Sequence, residues 1–159
     1  MTVQPTSVVE FRVGRADEVV AIMAELAAAH AGWMNLQPDV PVEDVPDTGS
    51  PFGRLLTATG PPVPLGSWVP GEVRRGGPEP TSLGLQHPGG RRAIWRLRDV
   101  GIVVPDGWKV LADHPRRGLV LSLPDGADPA IALDWLVRAA IELTDIALPD
   151  AWRAAVYRG

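Results

Sequence analysis

The sequence contains no cysteine. That excludes disulfides, thiolate-bound zinc, iron–sulfur clusters and cysteine nucleophiles. It has only three histidines, His30, His87 and His114, and no two of them stand at a metal-ligand spacing such as i and i+4. No metal centre and no cofactor are therefore expected. Long apolar runs are also missing: Glu25 interrupts the first candidate, and Asp134, Arg138 and Glu142 interrupt the last. No segment can serve as a membrane span, no basic stretch leads into an apolar one near the N-terminus, and the expected location is the cytoplasm.

Other shortages bear on chemistry. Lys109 is the only lysine against fourteen arginines, and asparagine, tyrosine and phenylalanine are scarce while alanine, glycine, proline and valine abound. This skew reads as the composition of a GC-rich genome, so each arginine carries less functional information than usual. Nineteen acidic residues against fifteen basic ones give a net charge of −4. Such a charge opposes the long-range attraction used by nucleic-acid and anionic-membrane binders, so neither is an expected partner and any anion site must be local. The chain has no Walker-type phosphate loop and no dinucleotide fingerprint; Gly76-Gly77 and Gly89-Gly90 read as turn pairs. Gly66-Ser67-Trp68 lacks the second glycine of a nucleophile elbow, Ser122 falls inside a predicted strand, and Glu43 and Asp44 lie in an acidic loop where nothing would split their pKa values.

What is present is a single domain of 159 residues with an uneven punctuation. Residues 38–90 hold 21 of the 34 prolines and glycines. They read as a turn-rich arm with short strands at most, and its segment 39–47 as an exposed acidic loop. Within the arm, residues 52–58 and 63–69 read as a hairpin turning at Gly60-Pro61-Pro62, and the prolines point to a sheet edge rather than a centre.

Outside the arm, residues 8–13 read as a short strand. Residues 16–31 form an amphipathic helix, with Val19, Ile22, Met23, Leu26 and His30 at helical spacing. From Thr81 to Tyr157 the order is strand (81–87), helix (91–100), strand (108–113), strand (118–123), helix (128–145) and strand (152–157). Gly101 is placed to end the first of these helices, and Asp128 with Pro129 to begin the second. The expected class is α+β, with a ferredoxin-like βαββαβ antiparallel sheet over residues 81–157, both helices on one face, preceded by the N-terminal helix and the arm.

That arrangement places suspicious residues together. His87 ends the first strand of the unit, Asp113 and His114 end the second, and Arg116 and Arg117 precede the third, which lies between them. His87 and His114 would then lie about 10 Å apart at one end of the sheet. The helix carrying Arg91 and Arg92 in its first turn starts from the same end, and two arginines there work against the helix dipole unless something negative is near. Either a phosphate or carboxylate ligand supplies that charge, or the chain does so itself through Glu79, Asp113 or the acidic loop. The expected anion-binding set is His87, Arg91, Arg92, His114, Arg116 and Arg117.

Six tryptophans are a heavy weighting. Trp108 and Trp152 fall on inward strand positions, Trp95 and Trp135 on helix flanks, and Trp33 and Trp68 belong to the arm, as anchors or as contacts for a partner. The second face of the sheet would carry Ser82, Gly84, Gln86, Leu111, Val120, Ala155 and Tyr157, with Lys109 and Arg153. It is too apolar to be simply wet, and either the arm or a second copy of the chain should cover it.

Two readings of function follow. The first is a non-enzymatic module that self-associates, as a dimer in the simplest case, and binds a protein or a small anionic ligand. The second is a small enzyme using His87 or His114 as general base on an anionic substrate held by the arginines.

Overall fold

The computed structural model describes residues 2–45 and 60–159. In chain order the elements are β1 (Ser7–Arg12), α1 (Asp17–Ala29), β2 (Trp33–Pro38), a 3-10 turn (Val42–Asp44), β3 (Leu65–Val69), β4 (Val73–Arg74), β5 (Gly77–Pro78) and β6 (Thr81–Gln86). Then follow α2 (Ala93–Asp99), β7 (Lys109–His114), β8 (Gly118–Leu123), α3 (Pro129–Glu142) and β9 (Ala151–Tyr157). The class is α+β, and the main sheet has seven strands in the order β1-β9-β2-β3-β6-β8-β7, with every neighbouring pair antiparallel. No helix among the described residues is long and apolar enough to cross a membrane.

This is not the ferredoxin-like sheet expected for residues 81–157. The local order β6-β8-β7, with β8 between two parallel strands, is the expected one, but β9 leaves this unit and pairs with β1 and β2 at the other end. The reason lies in the first half of the chain. β1 and β2 are parallel and joined by α1, so a strand running the opposite way must fill the gap between them, and β9 does so. The sheet thus consists of two split β-α-β units, β1-α1-β2 around β9 and β6-α2-β7 around β8, joined through β3.

β3 also corrects the picture of the arm. It is the fourth of seven strands, with β2 on one side and β6 on the other, so neither of its edges is left for a hairpin partner. Residues 52–58, expected to form that partner, lie outside the described residues. The prolines misled because Pro64 and Pro70 bracket the strand without entering it; Leu65-Gly66-Ser67-Trp68-Val69 keeps every backbone N–H for the ladder. Gly66 lets α3 approach closely here: a Cβ would stand 2.5 Å from Cδ2 of Leu136 on α3, which would have to shift to admit it. Trp68 is buried in the core, and Trp33, on β2, stacks against Tyr157 of β9 with ring centroids 4.7 Å apart. Both tryptophans are sheet residues, not appendages of an arm.

One face of the sheet carries the core. Phe11, Met34, Leu36, Trp68, Leu83, Leu85, Leu119, Leu121, Trp152, Ala154 and Val156 are all buried there. Against them pack Val19, Met23 and Leu26 of α1, Ala93 and Leu97 of α2, and Leu133, Leu136, Val137 and Ala140 of α3, so the three helices share one side. α3 begins as its sequence implies, with the Asp128 carboxylate accepting the Ala130 N–H at 2.9 Å and Pro129 in the first turn. Asp39 of the acidic loop is not unpaired: it meets Arg153 at 2.9 Å, which ties the end of β2 to β9.

The opposite face has a regular pattern. The pairing register puts Val8, Ala155, Asn35, Ser67, Gly84, Val120 and Ala112 side by side, one residue from each strand. This row crosses the whole sheet without a charge and without a side chain larger than valine or asparagine.

Candidate functional site

Strand β7 contains the feature that organises the β6/β7 end of the sheet. Val110 pairs with Leu121 but Ala112 with Val120, so Leu111 is an extra residue and forms a bulge. In an unbroken strand Asp113 would face away from the helices. After the bulge it shares a register position with buried Leu119 and points toward α2. There its two carboxylate oxygens accept the N–H groups of Ala93 and Ile94, at 3.2 and 3.0 Å. The chain's own Asp113 therefore supplies the negative charge at the start of α2. This carboxylate satisfies free amides that no side chain within α2 caps. Asp113→Ala is expected to lower stability by about 1–2 kcal/mol, the usual worth of a side-chain cap, with Asp113→Asn losing less; chemical denaturation checks both, and a neutral Asp113→Ala would remove the capping role.

α2 begins at Ala93, and Arg92 before it adopts a left-handed backbone with φ 57°. Non-glycine residues reach this region at a cost, so the turn holds Arg92 in place through its surroundings. Arg91 and Arg92 are both exposed, and among the described residues neither forms an ion pair.

The three histidines have distinct settings. His114 accepts the backbone N–H groups of Arg116 and Arg117 on Nδ1, each at 3.1 Å, and so caps the β7–β8 turn. With Nδ1 used as an acceptor, the neutral ring carries its proton on Nε2. His87 lies wholly buried at the end of β6, where its Nδ1 accepts the Gly89 N–H at 3.0 Å and its Nε2 has no partner among the described residues. Burial lowers the pKa of His87 from its ordinary 6.5; the charge of Asp113 opposes this and that of Arg96 reinforces it. His30 closes α1 in a left-handed conformation, and its Nδ1–H donates to the Gly71 carbonyl at 3.0 Å.

A cleft of about 490 Å³ opens at this end of the sheet, lined by Arg91, Arg92, Trp95, Asp113, His114 and Pro115. Of the six residues expected from the sequence, Arg91, Arg92 and His114 line it together. His87 is sealed in the core, and Arg116 and Arg117 are exposed on the neighbouring turn without lining the cleft. Trp95 is the residue the sequence reading missed. It is 59% exposed, with the Arg98 guanidinium 4.3 Å from its ring centroid. Its signal was faint: Trp95 follows Arg91 and Arg92 by four and three residues, but both arginines precede the helix, so the turn at Arg92 and not helical spacing brings them to the same cleft. Among the described residues no group of three or more His, Asp and Glu could hold a metal ion.

The chain matches no family model, no curated protein and no solved structure.

Proposed function

We propose that this chain is a non-catalytic module that pairs with a second copy of itself through the open face of its sheet. The observation that carries this is the uncharged row from Val8 to Ala112. A two-fold interface sets identical patches on one another, so a strongly charged face would repel its own copy. Here Arg153 is neutralised by Asp39, and Glu10, Arg12 and Lys109 stand on the two edge strands. Seven strands about 4.8 Å apart and some 20 Å long present roughly 600 Å² in plan. That approaches the ~800 Å² per partner of a standard interface. Light scattering at tens of micromolar is expected to give a dimer, and Val120→Lys with Ala155→Lys to give a monomer with unchanged circular dichroism. A monomeric parent protein would remove the self-association reading and leave the chain's own residues 38–90 as the element to cover the face.

A second reading, a small anionic ligand held in the cleft, is favoured by one specific observation: Arg91 and Arg92 line it without an ion pair among the described residues, while the Asp113 oxygens are engaged by amides. His114 would add an N–H donor through Nε2. The same hydrogen bonds favour binding over catalysis. A general base needs a free lone pair facing the substrate, and in both His87 and His114 the Nδ1 lone pair is already given to backbone N–H groups. Inorganic phosphate is expected to raise the melting temperature, and Arg91→Ala with Arg92→Ala to abolish that shift. A shift that survives the double substitution would place the anion elsewhere.

A further inference from the structure

We propose that the cleft between α2 and the β7–β8 turn takes a planar aromatic ring bearing an anionic group, with the ring against Trp95 and the anion between Arg91 and Arg92. This rests on the anion reading of the same cleft and adds the part of the ligand that the arginines do not specify.

Three observations carry it. The first is size. A cleft of about 490 Å³ is in the range that holds whole small molecules and is several times larger than a tetrahedral oxyanion needs. The second is Trp95 itself. Large aromatic side chains normally bury their rings, yet Trp95 stays 59% exposed on the wall of the cleft while Trp68, Trp135 and Trp152 of the same chain are buried. The third is the Arg98 guanidinium, stacked 4.3 Å from the Trp95 ring centroid. A cation over an indole holds the ring in place, so the ligand does not have to order a loose side chain when it binds.

The lining is divided accordingly. Trp95 and Pro115 offer flat apolar surface, Arg91 and Arg92 offer charge and paired donors, His114 offers one N–H, and Asp113, the one acid in the lining, has its two oxygens turned to the Ala93 and Ile94 amides. A bare phosphate would leave the apolar part wet, and a neutral aromatic would leave two guanidinium groups uncompensated. A ring joined to a phosphate or a carboxylate meets both demands. Nucleoside monophosphates and aryl carboxylates share this chemistry.

The test is calorimetric titration of the intact chain with phenyl phosphate, adenosine 5′-monophosphate, benzoate and inorganic phosphate. An aromatic anion is expected to bind about tenfold more tightly than inorganic phosphate, the usual contribution of one ring stacked on an aromatic side chain. Trp95→Ala should reduce the aromatic anions to the affinity of inorganic phosphate and leave inorganic phosphate unchanged. Phenyl phosphate winning over benzoate identifies a phosphorylated ligand, and the reverse a carboxylate. If inorganic phosphate binds as well as every aromatic anion, or if Trp95→Ala changes nothing, the ring component is wrong while the anion site stands. If no anion binds, both fail.

Discussion

Gly118→Ala is expected to lower the stability of the chain by about 3–5 kcal/mol, while Gly126→Ala, at nearly the same backbone conformation, should lower it by about 1 kcal/mol. Gly118 has φ 85° and Gly126 has φ 82°, so the strain of forcing an L side chain into the left-handed region is common to both. They differ in what surrounds them. A Cβ on Gly126 meets nothing within 4 Å, whereas a Cβ on Gly118 would fall on the carbonyl oxygen of Leu85 in the neighbouring strand. Backbone cannot yield as a flexible side chain can, so β8 would have to lift away from β6. Gly118 also begins the strand that follows His114 and Pro115, so the same displacement would disturb one wall of the cleft. Urea denaturation of the two variants separates conformational strain from collision, and equal losses would show that the approach of Leu85 is not limiting.

The second large effect is on pH. His87 is fully buried and neutral in the folded chain, with burial lowering its pKa below 6.5. The unfolded chain takes up a proton at about pH 6.5, and the folded chain does not until a lower pH. Stability from this group is therefore complete above pH 6.5 and falls as pH drops toward the folded-state pKa, by up to about 1.4 kcal/mol per pH unit. Protonation would also place a hydrogen on Nδ1, where the Gly89 N–H now donates at 3.0 Å, and so push on the Gly89-Gly90 turn that leads to Arg91 and Arg92. Denaturation midpoints of the parent chain should decline from pH 7 to pH 5, and His87→Gln should flatten that part of the profile. The same slope in the variant would assign the acid sensitivity to other groups.

Wherever an element is decided by its own residues, the sequence alone determined it. Apolar spacing located α1 and α3, Asp128 with Pro129 set the start of α3, and alternation located β1, β6, β7, β8 and β9 to within about two residues. Alternation also named part of the open face, Gly84, Val120 and Ala155 among them, because side chains on a strand take turns between two sides whatever its neighbours are; it could not name Ala112, which faces that side only because of the bulge at Leu111. Strand pairing is a different kind of information. Nothing local in residues 151–157 says that they lie between β1 and β2 instead of beside β6, since the choice is made by the gap that α1 leaves between two parallel strands. Nothing local raises β3 to the centre of the sheet, because proline and glycine density describes the turns around it and not the ladder it enters. The cleft depends on the same non-local facts. One extra residue, Leu111, reverses the direction of Asp113 and sends it to the amides of α2. Burial takes His87 out of reach of any ligand, and only packing shows that Trp95 stands in the open beside Arg91 and Arg92 while Trp68, Trp135 and Trp152 are enclosed.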